Sequence, residues 1–177
     1  MGNGMANAFN VGTIDATQGV SPLELRRHRI LLLGLGGVGR CFVRALAEAR
    51  ADLAKRLGVQ LDLVAVADSS AALWSETGAL PDSAIEGALA AKEARKPLSS
   101  LAEARKIADP RFLVQLLANS DSVSNGSLIV VDTTATNATV PALLDALAGG
   151  HSIVLANKKP LSLEQEVYDR LTRAGDT

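Results

Sequence analysis

The sequence predicts one α/β domain, a doubly wound parallel sheet with helices packed on both faces. Three observations lead there. Four short aliphatic runs, Arg29–Gly34, Leu61–Ala67, Leu128–Val131 and Ser152–Leu155, read as strands, the first of them buried on both faces. Stretches with helical periodicity separate or follow them, as parallel strands require of their crossovers. Aromatic residues make up only 3% of the 177 residues, so the core must be built from Ala, Leu, Val and Ile.

Taken in order, residues 1–25 form a polar lead-in, rich in Gly, Asn and Thr over Met1–Ser21, with no apolar segment of signal-peptide length. The domain then runs from 26 to 177. After the first strand, Phe42, Val43, Leu46, Leu53 and Leu57 recur at helical spacing, and Gly58 is placed to end that helix. Cys41, beside Phe42, is expected to pack on its apolar side. The second strand closes at Asp68-Ser69-Ser70. Between Leu73 and Asn125 no strand is evident. Ser83 and Glu86 have capping-box spacing ahead of a helix over Ala84–Arg95, stopped by Pro97, and Pro110 opens a short helix over Arg111–Ala118. Ser120–Ser127 reads as loop. After the third strand, Thr139–Ala148 forms a helix with Thr139 or Asn137 as its cap and Gly149-Gly150 at its end. The fourth strand follows, and a second capping box, Ser162 to Gln165, begins the last helix.

Composition excludes several classes of function. Eighteen basic residues stand against nineteen acidic ones, without the cationic excess needed to neutralise a phosphate backbone, so no nucleic-acid partner is expected. The apolar runs fall far short of the ~20 residues a membrane helix needs. One cysteine and two histidines cannot assemble a zinc cluster of the finger type. No arginine-rich leader precedes Arg26, and the expected compartment is the cytoplasm.

Gly34-Leu-Gly36-Gly37-Val38-Gly39 matches G-x-G-x-x-G in the setting that gives the motif meaning, between a buried strand and a helix. There Gly34 makes the tight turn, Gly36 lets backbone approach a pyrophosphate, and Gly39 lets helix and strand pack closely. The amides of Gly37 and Val38 and the helix dipole supply the anion site. This is a Rossmann-like dinucleotide signature, and the cofactor expected is NAD(P). Asp68, at the end of the second strand, is the candidate for the adenosine ribose hydroxyls and leans toward NAD; a solvated loop Asp is the plainer alternative. Arg40 leans toward NADP, unless it is merely a solvated first-turn residue. The choice between the two cofactors stays open.

On the same carboxyl edge, Asp132-Thr133-Thr134-Ala135-Thr136-Asn137 breaks the third strand into small polar residues, and Ala156-Asn157-Lys158-Lys159-Pro160 follows the fourth. Read with the glycine loop, these segments resemble the nucleotide-binding domain of homoserine dehydrogenase over about Arg29 to Gly175, the Asn157-Lys158 pair being the more specific feature. The resemblance implies reversible NAD(P)-dependent reduction of aspartate 4-semialdehyde to L-homoserine, a step of threonine, methionine and isoleucine biosynthesis. It assigns Gly34, Gly36 and Gly39 to the pyrophosphate, Thr133, Thr134 and Asn157 to the cofactor-facing edge, and Lys158 to catalysis, with Lys159 a solvated neighbour. The family also implies a second domain carrying the substrate carboxylates and a homodimer interface, neither of which this chain contains. The isolated chain is therefore expected to bind cofactor without turnover. A non-catalytic dinucleotide-binding module, and a Rossmann dehydrogenase of another specificity, are the alternatives.

Overall fold

A computed structural model describes residues 25–119 and 127–172. The lead-in up to residue 24 and nearly all of the expected loop at Ser120–Ser127 lie outside the described residues. Five strands form one sheet: β1 (Arg26–Leu33), β2 (Val59–Ala67), β3 (Ala72–Trp74), β4 (Leu128–Asp132) and β5 (Ser152–Leu155). Their order is β3-β2-β1-β4-β5, and every pairing is parallel except β2 with β3. Among the described residues five α-helices accompany them: α1 (Gly37–Leu57), α2 (Asp82–Glu93), α3 (Arg111–Ala118), α4 (Val140–Ala148) and α5 (Gln165–Thr172).

The pleat sends alternate residues to opposite faces, and each face has its own core. Ile30 and Leu32 of β1 meet Val43 and Leu46 of α1 and Ala88 of α2. Leu31 and Leu33 meet Leu113 and Leu117 of α3, Leu143 of α4 and Leu171 of α5. A bulge shifts the β1–β2 register between Ile30 and Leu31, so Val64 and Ala65 both join the second cluster. No helix among the described residues is long and apolar enough to cross a membrane.

Several local expectations are corrected. The segment after Asp68 does hold a strand: β3 turns back through a hairpin on β2, and its outer edge is covered where Ala72 and Arg105 exchange two backbone hydrogen bonds of 2.9 Å. Three residues are too short for an alternation signal. Neither capping box is used. Pro81 occupies the N-cap of α2, and Ser83 lies inside the first turn. Ser162 closes a 3₁₀ turn by donating its hydroxyl to the Lys159 carbonyl, and α5 starts only at Gln165. Thr139 is the N-cap of α4 by position, yet its hydroxyl is spent elsewhere. Cys41 is exposed rather than packed. Leu57, in the last turn of α1, is 56% exposed, and the buried residues of that helix stop at Leu46. Gly58 ends α1 in the left-handed region, as expected.

Candidate functional site

β1 delivers the chain to its carboxyl end at Leu33, where Gly34 turns it at φ +96°. A Cβ on Gly34 would lie 2.9 Å from Thr134, and one on Gly39 would lie 2.0 Å from the Gly34 carbonyl oxygen, so these two glycines serve the turn and the contact of helix with strand. Gly36 and Gly37 differ. Nothing lies within 4 Å of a Cβ built on either, and both are exposed with Val38. The Arg40 amide makes the first helical bond, to the Gly36 carbonyl at 3.0 Å. The amides ahead of it therefore have no intrahelical acceptor and present the positive end of the helix dipole.

Opposite this loop stands a polar node centred on Asp132, which is completely buried. Its carboxylate accepts the Thr134 amide (2.8 Å), the Thr139 hydroxyl (2.8 Å) and the Asn157 side-chain amide (3.2 Å). The Asn157 amide also donates to the Thr134 hydroxyl (3.1 Å) and the Thr136 carbonyl (2.7 Å), while its oxygen accepts the Lys159 amide (3.1 Å). Asn157 thus ties the loop after β4 to the turn after β5. Thr133 donates to the Leu33 and Gly34 carbonyls, tying that same loop to the glycine turn. The side chains of Thr133 and Asn157, in the segments expected to face a cofactor, hold the backbone of that edge in place.

Asp68 departs furthest from expectation. One carboxylate oxygen accepts the Ser70 amide (2.8 Å), the Ser70 hydroxyl (2.6 Å) and the Ala71 amide (3.2 Å); the other accepts the Lys92 ammonium (2.7 Å) and the Leu98 amide (3.0 Å). Its side chain is 8% exposed. Burial raises its pKa, but the bonds from Lys92, Ser70 and Leu98 outweigh that and hold the carboxyl well below the ordinary range. The Arg40 guanidinium donates to the Lys92 carbonyl at 2.9 Å, tying α1 to the end of α2. Lys92 had no signal in the sequence, because only tertiary folding brings residues 24 apart into an ion pair.

Between these walls lies a cleft of about 510 Å³, floored by Leu33, Gly34 and Gly36, flanked by Asp68 and Lys92 on one side and by Thr134 on the other. Ile107 and Pro110 add apolar surface. Lys158 stands exposed on the same edge, beyond Asn157, and its ammonium has no partner among the described residues. The residues fit a dinucleotide: free amides at a helix start, glycines with open space beside them, and an adjoining cleft of small-ligand size.

Fold and site together define a Rossmann-like domain with an open glycine turn between β1 and α1. The profile of the homoserine dehydrogenase NAD-binding domain matches residues 34–177, and the chain belongs to that family. Among solved structures, a hyperthermophilic archaeal homoserine dehydrogenase in complex with NADPH superposes with a TM-score of 0.58 at 24% identity, covering 84% of this chain and 41% of that one. A Candida auris protein of unknown function gives 0.61 at 19% identity, over 86% of this chain and 36% of that one. Staphylococcus aureus homoserine dehydrogenase gives 0.50 at 20% identity, over 86% and 30%. These likenesses show the fold, and the chain spans well under half of each of those structures. No curated protein matches the chain.

Proposed function

We propose that this chain is the cofactor-binding portion of an oxidoreductase that interconverts aspartate 4-semialdehyde and L-homoserine with NAD(P)(H). The observation that carries the reading is the pairing of an open glycine turn at Gly36-Gly37 with the edge held by Asn157, within a chain that matches the family from residue 34 to 177. The solved archaeal relative bound to NADPH supports the cofactor class. The dinucleotide carries the hydride; the protein orients it and stabilises charge. The Gly36–Val38 amides hold the pyrophosphate, and Thr134 faces the cleft from the nicotinamide side. Lys158 provides an ammonium at the substrate end, where it stabilises negative charge on the carbonyl oxygen or delivers a proton to it. A cytoplasmic homodimer, formed through a second domain, belongs to the same proposal.

Calorimetric titration of the chain with NADPH and NADH tests the cofactor half of the reading, and binding of at least one at sub-millimolar concentration is expected. The catalytic half is tested in a polypeptide that joins this chain to a substrate-binding domain. There Lys158→Ala should lower kcat for homoserine oxidation by about 10²-fold or more while leaving cofactor affinity nearly unchanged. An unchanged kcat would remove Lys158 from the reaction.

A further inference from the structure

Resting on the reading that Lys158 acts at the substrate end of the site, we infer that Asp132 is a positioning residue: working through Asn157, its buried carboxylate fixes the turn that carries Lys158. A buried carboxylate is costly, and a fold keeps one only where a cation or several donors offset the lost water. Asp68 has such a cation in Lys92, at 2.7 Å. Asp132 is completely buried and makes no ion pair among the described residues. Its carboxylate is held by neutral donors alone, the Thr134 amide, the Thr139 hydroxyl and the Asn157 side-chain amide. The node is also built at the expense of α4. Thr139 stands at the N-cap of that helix and makes no side-chain cap bond, because its hydroxyl goes to Asp132. Helix stability therefore does not account for the carboxylate.

The network leads to Lys158. The main-chain carbonyl of Asp132 accepts the amides of Ala156 (2.9 Å) and Asn157 (3.2 Å), so this one residue of β4 grips Asn157 by backbone and by side chain. The Asn157 side-chain oxygen then accepts the Lys159 amide at 3.1 Å, and the Lys158 carbonyl accepts the Leu161 amide at 3.2 Å. The backbone of Lys158 is thus held from both sides, while the residue itself is exposed and makes no ion pair among the described residues. A lysine side chain is a flexible stem, and any freedom at its root adds to its own. An ammonium that must meet one oxygen atom needs that root fixed, and Asp132 supplies the fixing.

Asp132→Asn keeps the shape of the side chain and removes its charge and one acceptor. In the 177-residue chain, amide hydrogen exchange at Lys159 and Leu161 should quicken at least about tenfold, with the amides of β1 unchanged. In the polypeptide that joins this chain to a substrate-binding domain, kcat should fall at least about tenfold while the KM for the dinucleotide stays within about twofold, as expected when a reacting group is misplaced. The double variant separates positioning from scaffolding. In the Lys158→Ala background, adding Asp132→Asn should lower kcat by less than about twofold further, because the group it positions is already gone. Urea melts establish that each variant is folded, and should Asp132→Asn fail to fold, Asn157→Ala takes its place in the same cycle with the same expectations. Unchanged exchange at the turn, an unchanged kcat, or the same loss of kcat with and without Lys158 overturns the inference and leaves the proposed function standing. An unchanged kcat in Lys158→Ala alone overturns the role of Lys158, and this inference with it.

Discussion

Two glycines of one motif separate packing from ligand space. The Cβ of Gly39→Ala would sit 2.0 Å from the Gly34 carbonyl, so α1 must lift from β1, and the expected loss is about 2–4 kcal/mol in a urea melt. Gly36→Val places its side chain in open space at an extended N-cap residue, and stability should stay within about 0.5 kcal/mol of the unaltered chain. On the proposed function its cofactor affinity should nevertheless fall at least about tenfold, because that open space is the one proposed for the pyrophosphate. Asn157 is the third test at this scale. Asn157→Ala leaves Asp132 and the Thr136 carbonyl short of a donor, at a cost of about 1–3 kcal/mol. Asn157→Asp should cost more, since it sets a second carboxylate beside a buried one.

Between elements, Asp68 is the joint to probe by pH. It holds β2, the turn into β3, the end of α2 and the 3₁₀ turn at Leu98–Ser100 in one cluster of hydrogen bonds. Because folding lowers its pKa, the unfolded chain takes up a proton first as the pH falls. The stabilisation is therefore complete above the ordinary carboxylate value of about 4 and drains away below it. Urea melts of the unaltered chain and Asp68→Ala should differ by about 2–4 kcal/mol at pH 7, with the gap narrowing as the pH drops below about 4. A gap that stays constant across that range would assign the loss to packing rather than to the charge.

At the scale of the whole molecule, the cleft is bounded by loops from both halves of the sheet, after β1 and β2 on one side and after β4 on the other. On the proposed function, a dinucleotide bridging them should bind the folded chain and not the unfolded one. At one hundred times its Kd it should add about 2.7 kcal/mol. For a domain of this size that corresponds to a rise in Tm of roughly 5–10 °C in a thermal melt. At the same ligand concentration Gly36→Val should cut the rise by about half or more without lowering the Tm of the free chain.

Much of this protein is determined by sequence alone. Aliphatic runs ending at Gly34, Ala67, Val131 and Leu155 identify strands, the first three largely buried and the last a partly exposed edge, and glycines at 58 and 150 adopt the left-handed backbone that marks helix ends, because apolar runs and left-handed backbone are local properties. The G-x-G-x-x-G turn and the Asn157-Lys158 segment were legible for the same reason, and with them the family and the carboxyl edge as the site. Only tertiary structure decided what the polar side chains there do. Asp68 reads as a ribose anchor until Lys92, Ser70 and the Leu98 amide are folded around it. Asn157 gains a structural role that the sequence does not show, its amide bound by Asp132 and the Thr136 carbonyl. A strand or a turn is specified by residues adjacent in the chain, whereas a buried carboxylate or amide takes its role from whichever donors and acceptors the fold brings within about 3 Å, and the deciding ones, Lys92 and Leu98 for Asp68 and Asp132 for Asn157, lie more than twenty residues away.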